Sequence, residues 1–326
     1  MSATNEPSQV HQEAAFLKEI QESIDAEYAN VEEPSGDMAE DALDRLTSIQ
    51  SFCLLFIKEA STKPPVEFET QKQRLDLLWQ MFIRGAIHAA KDPAFHDRLL
   101  NLLLWTKEFD SLCKAVPSEK GPVTTWESYG FANSLQASWE QVVKTGIVTQ
   151  QSNLATFSAK ALAVGVYGEA IGLTALWFLR EALETDDDYR TITLLPAAVI
   201  WMDHSRHKLF AFSVLNQSYD QSNSLQAPSS LIKGEDIDHP GFSLKRWLFW
   251  RRRFQELSHH EDPRVAKEAK EGFMCMVNCG RDMGYEVPGE AWFTEKLQKA
   301  MGEELIRSGK PSVDGDEIDI DVDWVD

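Results

Sequence analysis

Residues 241–254 read Gly-Phe-Ser-Leu-Lys-Arg-Trp-Leu-Phe-Trp-Arg-Arg-Arg-Phe and place five cations and five aromatic side chains within fourteen residues. The stretch predicts a helix that begins after Ser243, because serine is a preferred N-cap residue and the apolar side chains recur at helical spacing. On an ideal helix, most of the apolar side chains cover one arc, and most of the cations, Arg246 among them, cover the opposite arc together with Phe249. We expect three of these cations to be solvated or paired with surface acids: Lys245, Arg252 and Arg253.

Arg251 is the exception, because it falls within the apolar arc of this helix, beside Trp247. A buried arginine must meet a carboxylate or an anion. We expect the partner of Arg251 to be Glu169 or Asp203. Such a pair either is a structural ion pair or lines a pocket and orients the polar group of a ligand, helped by cation–π contact with Trp247.

Helical patterns continue along almost the whole chain, and no segment shows the alternation of a strand. The fold class is therefore predicted to be all-α, with about nine to twelve helices in a single large domain. We expect this domain to span residues 13–308, between a disordered N-terminus at 1–12 and a disordered acidic tail at 309–326. Besides the helix after Ser243, the predicted helices span 13–31, 38–60, 70–90, 93–115, 129–144, 157–184, 196–210, 263–284 and 290–308.

Composition limits the classes of function. The chain has a formal net charge of −20 and a pI of about 4.8, whereas nucleic-acid binders and proteins that dock on anionic lipid present basic surfaces. Residues 1–12 are polar and lack the apolar run of a secretory signal. We expect a cytoplasmic protein, with the nucleus as an alternative, and neither nucleic acid nor membrane among its partners.

The cysteines and histidines do not have the spacing of a metal site. The four cysteines are scattered through apolar helical patterns and are interpreted as reduced core thiols. Neither a metal-ligand motif nor a glycine-rich nucleotide loop occurs, so we expect neither a metal nor a cofactor. The four are Cys53, Cys113, Cys275 and Cys279.

Residues 161–179 are the most apolar stretch, almost long enough to cross a bilayer. Glu169 lies near its middle, where a carboxylate opposes membrane insertion, so we expect a buried central helix. Three glycines at steps of three and four indicate either a tightly crossing neighbouring helix or room for a ligand: Gly165, Gly168 and Gly172. In an apolar setting Glu169 would have a raised pKa and could act as a general acid or base, unless it pairs with a buried arginine.

The predicted helix at 196–210 carries Trp201, Asp203, His204 and His207. Asp203 and His207 are four residues apart and would share a helix face. An Asp–His face can transfer a proton or bind a metal, but it is more often a local hydrogen bond near a helix end. Trp201 and Asp203 are candidate ligand-binding residues, together with Trp247 and Trp250.

The end of the chain alternates acidic and apolar residues, with Ile318, Ile320, Val322 and Trp324 on one side of an extended strand. One interpretation is a disordered solubilising tail. The other is a short motif that adds a strand to a protein partner or folds back on this protein, using these four side chains. Trp324 favours the second interpretation, because a purely solvating tail has no use for tryptophan.

Three blocks of sequence carry a family resemblance. Residues 176–184 read Leu-Trp-Phe-Leu-Arg-Glu-Ala-Leu-Glu, residues 194–201 read Leu-Leu-Pro-Ala-Ala-Val-Ile-Trp, and the third block is 241–250 with Arg253 and Phe254. They resemble a family of uncharacterised fungal proteins called domain of unknown function 3632, over about residues 63–284. The resemblance implies a fungal, intracellular, helical protein without an established activity, and it supplies no catalytic residues. Some members are similar to proteins of secondary-metabolite gene clusters.

Three functions are compatible with these features. The first is a protein that binds an apolar small molecule or a protein partner, in a fungal secondary-metabolite pathway, with a pocket among the helices that carry the glycines, Trp201 and Trp247. The second is a cofactor-free cyclase or isomerase of a polyketide or terpenoid intermediate, in which Glu169 and Arg251 are the candidate catalytic residues. The third is a regulatory protein that acts through the acidic tail.

Overall fold

The structure is a computed structural model, and it shows an all-α protein, as the sequence predicts. The residues that it describes form twelve α-helices, one short 3-10 helix and no β-strand. They are residues 9–29, 38–62, 68–89, 93–115, 130–220, 223–229, 231–232, 237, 239–277, 279–313 and 318. By their packing, the helices divide into two compact units, Met1–Phe157 and Ser158–Asp326. The predicted domain limits at 13 and 308 stay a prediction.

The first unit is built around helix α3. Its helices are α1 (Gln9–Ala29), α2 (Met38–Thr62), α3 (Phe68–Ile87), α4 (Pro93–Ala115), α5 (Phe131–Thr145) and the start of α6 (Val148–Ala163). Helix α3 contacts α1, α2, α4 and α5. Its Trp79 is fully buried and meets the ring of Phe131 edge-on, with 5.2 Å between the ring centroids. An aromatic residue at the centre of a helix cluster buries a large apolar area, which holds the surrounding helices together.

The second unit is built around helix α8. Its elements are the end of α6, α7 (Gly168–Leu183), α8 (Asp188–Val214), a 3-10 helix (Ser224–Gln226), α9 (Leu244–Leu257), α10 (Pro263–Met276), α11 (Cys279–Asp282) and α12 (Glu290–Ser308). Helix α8 contacts α7, α9, α10 and α11, and α9 also contacts α7 and α10. The stretch at 241–254 is therefore covered by helices on several sides.

The single long helix predicted at 157–184 is wrong, because the chain turns between α6 and α7. Gly165 adopts a left-handed conformation with φ of 82°, which glycine accepts without the steric cost of a Cβ atom. The backbone N–H of Val166 donates to the carbonyl of Ala161, and that of Gly165 donates to the carbonyl of Leu162. These bonds satisfy the last carbonyls of α6 and end it. Residues that looked like one apolar span belong to two helices.

Helix α8 begins eight residues earlier than Pro196, where the sequence predicts its start. The carboxylate of Asp187 accepts a hydrogen bond from the backbone N–H of Arg190 and caps the helix. Pro196 lies inside the helix, where it lacks a donor for the preceding turn. The acidic run at 185–188 thus both follows α7 and starts α8.

Several predicted boundaries are confirmed at their caps. Ser243 accepts a hydrogen bond from the N–H of Arg246 and starts α9, as predicted. Helix α12 spans Glu290–Ser308, the predicted range, between two glycines with positive φ. Among the described residues, none of the helices is both long enough and apolar enough to cross a membrane.

Candidate functional site

A buried ion pair joins the end of α7 to the start of α9. Glu184 and Arg246 are both fully buried. Arg246 donates from Nε to Glu184 Oε1 at 2.6 Å and from Nη2 to Oε2 at 2.9 Å, a bidentate geometry. Trp250 Nε1 donates to Oε1 at 2.8 Å, and the backbone N–H of Ser229 donates to Oε2 at 3.3 Å. Four donors therefore replace the water that the carboxylate loses on burial.

The remaining guanidinium nitrogen of Arg246 holds the segment between α8 and α9. Its Nη1 donates to the carbonyls of Gln226, at 3.0 Å, and Gly241, at 2.8 Å. The buried side chain of Gln226 in turn accepts from the N–H of Tyr219 at 2.9 Å and donates to the carbonyl of Asp220 at 2.7 Å. We call Glu184, Arg246, Trp250 and Gln226 the interhelical clasp.

Arg180 extends the clasp by one helical turn of α7. Its Nη1 donates to the carbonyl of Ser224 at 3.0 Å and to those of Leu225 and Ala227 at 3.4 Å. Glu181 pairs with Arg180 at 2.7 Å and also with Arg190 of α8. Backbone carbonyls of the 3-10 helix are thus satisfied by an arginine of a neighbouring helix.

The clasp has the chemistry of a structural network. An ionised carboxylate offers about four acceptor sites, and the four donors to Glu184 fill them. Every contact of the clasp joins two parts of the second unit. We therefore infer that the clasp positions helices.

Arg246 is buried although the helical wheel places it opposite the apolar arc of α9. Helix α9 is packed by α7, α8 and α10, so the arc opposite its tryptophans is also covered. Phe249 on that arc is 7% exposed, and Arg246 is fully buried. A helical wheel separates two faces of a helix, but it cannot show that a second layer of protein covers the polar face.

Arg251 is buried, as predicted, but the predicted partners are wrong. It meets neither Glu169 nor Asp203, and instead its Nη1 lies 3.4 Å from Oε1 of Glu290, at the start of α12. Its Nη2 donates to the carbonyl of Pro288 at 3.1 Å. No feature of the sequence singles out Glu290 as the partner of Arg251, because an acidic residue in the first turn of a helix is already explained by the helix dipole.

A cavity of about 570 Å³ opens beside the start of α12. Its volume lies within the range of small-molecule sites. The buried carboxylate of Glu290 forms part of the wall of this cavity. Arg251, which contacts Glu290, is not among the lining residues. The lining residues are Arg281, Gly284, Tyr285, Glu286, Val287, Glu290, Ala291, Thr294, Glu295 and Gln298.

Burial sets the protonation behaviour of Glu290. The side chain is 9% exposed, and burial raises the pKa of Glu290 above its usual value, although the charges of Arg251 and Arg281 lower it. Asp282 adds to the upward shift in this pKa. A carboxylic acid of raised pKa at a cavity wall keeps its proton to a higher pH than an exposed carboxylic acid does, and it can give that proton to a ligand.

The predicted burial of Glu169 is wrong. Because α6 and α7 are separate helices, Glu169 lies in the first turn of α7 and is exposed. Its negative charge there is favourable to the helix dipole. Of the three glycines, Gly172 is the position of close approach, since an added Cβ would lie 2.7 Å from Phe212 Cε2 and 2.8 Å from the hydroxyl of Tyr219. At Gly165 and Gly168 nothing lies within 4 Å of the added atom.

Asp203 and His207 do not form the pair that their spacing suggests. Asp203 is exposed and lies 3.3 Å from Nδ1 of its neighbour His204. His207 instead approaches Asp282 of α11, with 3.5 Å between Nε2 and Oδ2. Among the described residues, no group of three or more histidine, cysteine or acidic side chains is arranged to hold a metal.

The three tryptophans proposed to line a pocket are core residues in this structure. Trp201, Trp247 and Trp250 are fully buried. Trp247 meets the ring of Phe210 edge-on with 5.3 Å between centroids, and Trp250 meets Phe242 at 6.2 Å. Their role as ligand-binding residues stays a prediction, whereas the cavity at α12 was not anticipated from the sequence.

Part of the acidic tail returns to the second unit. Ile318 is 5% exposed, and its carbonyl accepts a hydrogen bond from Lys270 of α10. The side chain of Ile318 is therefore covered by its own chain, in line with a tail that folds back. The other three proposed partner-binding residues lie outside the described residues: Ile320, Val322 and Trp324.

Comparison with known proteins relates the chain to a family and to one fungal protein. The model of a family described as protein of unknown function (DUF3632) matches residues 79–254, more than half of the chain. A protein of Penicillium oxalicum (strain 114-2 / CGMCC 5302), described as oxopyrrolidines biosynthesis cluster protein G, is 25% identical over 222 residues. The match spans 60% of this chain and 60% of that relative's length. No solved structure matches the chain.

Proposed function

We propose that this chain, which belongs to the DUF3632 family of proteins of unknown function, binds an apolar small molecule within a fungal secondary-metabolite pathway. The observation that carries the proposal is the cavity of about 570 Å³ with a buried carboxylate in its wall. Small-molecule sites combine apolar surface with a few placed polar groups. The pathway is suggested by the relative, whose description places it in an oxopyrrolidine biosynthesis cluster.

The lining of the cavity fits a ligand that is apolar over much of its surface. Val287 and Ala291 offer aliphatic contacts, and Tyr285 offers an aromatic face. The ring of Tyr285 meets Phe210 of α8 edge-on at 5.6 Å, which fixes its orientation. Glu290 then supplies a polar group that can orient the ligand.

Ligand retention tests this proposal directly. The purified protein is incubated with an extract of a fungal culture that expresses the gene, passed through a desalting column and denatured, and the released compounds are identified by mass spectrometry. The matched control is Ala291→Trp, which fills the cavity from an exposed position and leaves the charge unchanged. We expect a compound that wild type retains and Ala291→Trp does not. Equal retention by both proteins contradicts the proposal.

A cofactor-free proton transfer is the second candidate function, because the pKa of Glu290 is raised by burial. In a strain that lacks the gene, complementation with wild type and with Glu290→Gln separates the two functions. Catalysis by Glu290 predicts that a precursor accumulates and that the folded Glu290→Gln protein does not restore the product. Binding alone predicts that Glu290→Gln restores a substantial part of it.

A further inference from the structure

We propose that the cavity beside α12 selects a ligand with an amine, and that the ammonium group of this ligand binds at Glu290. The inference rests on the proposed function, because it names the class of ligand for the same cavity. It depends on the charges that line the cavity, on the incomplete pairing of Glu290 and on the nature of the adjacent walls.

The charges that line the cavity are mainly negative. Glu286 and Glu295 are exposed residues of the lining, and Glu290 is the buried one. Arg281 is the one cation among the lining residues. Exposed carboxylates at a cavity attract cations from solution and raise their local concentration. A ligand carboxylate would meet the opposite field, so the lining discriminates against anions.

Within the part of the chain that the structure describes, Glu290 has fewer hydrogen-bond donors than its carboxylate can accept. The distance of 3.4 Å between Arg251 Nη1 and Glu290 Oε1 exceeds the usual range for an N–H···O hydrogen bond. A second guanidinium nitrogen of Arg251 is committed to the carbonyl of Pro288. A carboxylate has about four acceptor sites, and among the described residues Arg251 is its one side-chain donor. Glu184, by contrast, accepts hydrogen bonds from four donors, which fill the acceptor sites of its carboxylate.

An ammonium group fits the unfilled part of this site. It is a compact charge with up to three donors. It can therefore approach the carboxylate of Glu290 from a different direction than Arg251 does. The ring of Tyr285 adds a surface over which a cation is attracted. Val287 and Ala291 provide apolar contacts for the carbon skeleton that bears the amine. Each of these groups lines the cavity, and along the chain they lie between the end of α11 and the first turn of α12.

Ligand binding is also coupled to the proton of Glu290. Burial raises the pKa of Glu290, so its carboxyl group keeps a proton to a higher pH than an exposed glutamate does, and a neighbouring ammonium favours its ionised form. Binding of an amine should therefore release protons from the protein, whereas binding of an alcohol should not. The number of protons released is measured by titration calorimetry in buffers of different ionisation enthalpy.

Three probes with the same apolar body and different head groups test the inference: 4-phenylbutylamine, 4-phenylbutanol and 4-phenylbutyrate. Their affinities are measured by calorimetry at about 0.15 M salt, so that long-range attraction to the acidic protein is screened. We expect the amine to bind about tenfold more tightly than the alcohol, and the carboxylate to bind more weakly than both. Glu290→Gln should bring the amine and the alcohol to within about threefold of each other and remove the proton release.

The controls separate this inference from the function on which it rests. Ala291→Trp should abolish binding of the probes, while Glu303→Gln, which removes an exposed carboxylate outside the lining of the cavity, should leave amine binding unchanged. If the alcohol or the carboxylate binds wild type as tightly as the amine and Ala291→Trp abolishes that binding, amine selection is refuted and the cavity remains a binding site. An amine preference that survives in Glu290→Gln also refutes the inference. If none of the probes binds wild type more tightly than Ala291→Trp, both proposals fail for this ligand class, and the retention experiment decides the proposed function by itself.

Discussion

Removing the carboxylate of the interhelical clasp should strongly destabilise the second unit. Glu184→Gln keeps the size of the side chain but leaves the fully buried Arg246 without its counter-charge. Breaking a buried ion pair by removing one partner costs about 3–5 kcal/mol, because the other charge remains buried. The unit has roughly 170 residues, a size at which each kcal/mol lowers Tm by about 2–4 °C. The expected loss in Tm is therefore about 6–20 °C.

The contributions of the individual donors can be separated. Trp250→Phe removes one neutral donor, at 2.8 Å from Glu184 Oε1, and should cost about 1–3 kcal/mol. The double variant Glu184→Gln/Arg246→Met removes both charges, so its loss should be smaller than the sum of the two single losses. Arg190→Met is the control, because the pair of Arg190 with Glu181 is partly exposed and contributes at most about 1 kcal/mol.

Urea denaturation, followed by circular dichroism at the helix band and by tryptophan fluorescence, measures these free energies of unfolding. A loss below about 1 kcal/mol for Glu184→Gln would refute the argument, because it would mean that Arg246 reaches water or another acid. Equal losses for Glu184→Gln and Arg190→Met would lead to the same conclusion.

Three further predictions follow from other parts of the structure. Gly172→Ala should lower the free energy of unfolding, measured by urea denaturation, by about 1–3 kcal/mol, because the added Cβ would lie 2.7 Å from Phe212. Gly168→Ala is the control and should cause no loss, because nothing lies within 4 Å of its added Cβ. Burial raises the pKa of Glu290 in the folded protein, so its protonated form stabilises the fold. This stabilisation is fully present below the pKa of the unfolded chain, about 4.3, and is lost as the pH rises through the pKa of the folded protein. The Tm of Glu290→Gln relative to wild type should therefore rise as the pH is raised above about 4, and a constant difference would contradict this sign. Burial raises the pKa of the thiols of Cys53 and Cys279 to about 12. Cys53→Ser and Cys279→Ser should therefore not change the rate at which the native protein reacts with a thiol reagent. A slower rate in either variant would show that the substituted thiol is accessible.

Local signals in the sequence predicted the parts of the fold that local interactions determine. The cap at Ser243 acts over a few residues, and α9 begins where that cap predicts, while α12 spans its predicted range. The turn at Gly165 is also a local signal, but the apolar residues on both sides of it favoured one continuous helix. A glycine that ends a helix and a glycine inside a helix have the same sequence pattern until the conformation at that residue is known.

The partners of buried charges could not be predicted, because they depend on long-range packing. Glu184 and Arg246 are 62 residues apart, and Arg251 and Glu290 are 39 residues apart. Each of these arginines had several acids of equal plausibility in a chain with 52 acidic residues. The sequence could establish that Arg251 needs an anion, since it lies on the apolar arc, but not which acid the fold brings to it.

The clasp lies within the residues that the family model matches, whereas the lining of the cavity lies outside them. The family model covers residues 79–254, which include all four residues of the clasp. The cavity is lined by residues between Arg281 and Gln298, beyond the end of that match. Arg251 connects the two, because it lies within the matched range and contacts Glu290 in the cavity wall. The matched region can thus supply a scaffold and one buried cation, while the segment that follows supplies the acid and the shape of the cavity. The ligand selection proposed for this cavity should therefore respond to substitutions at 281–298 that leave the clasp intact.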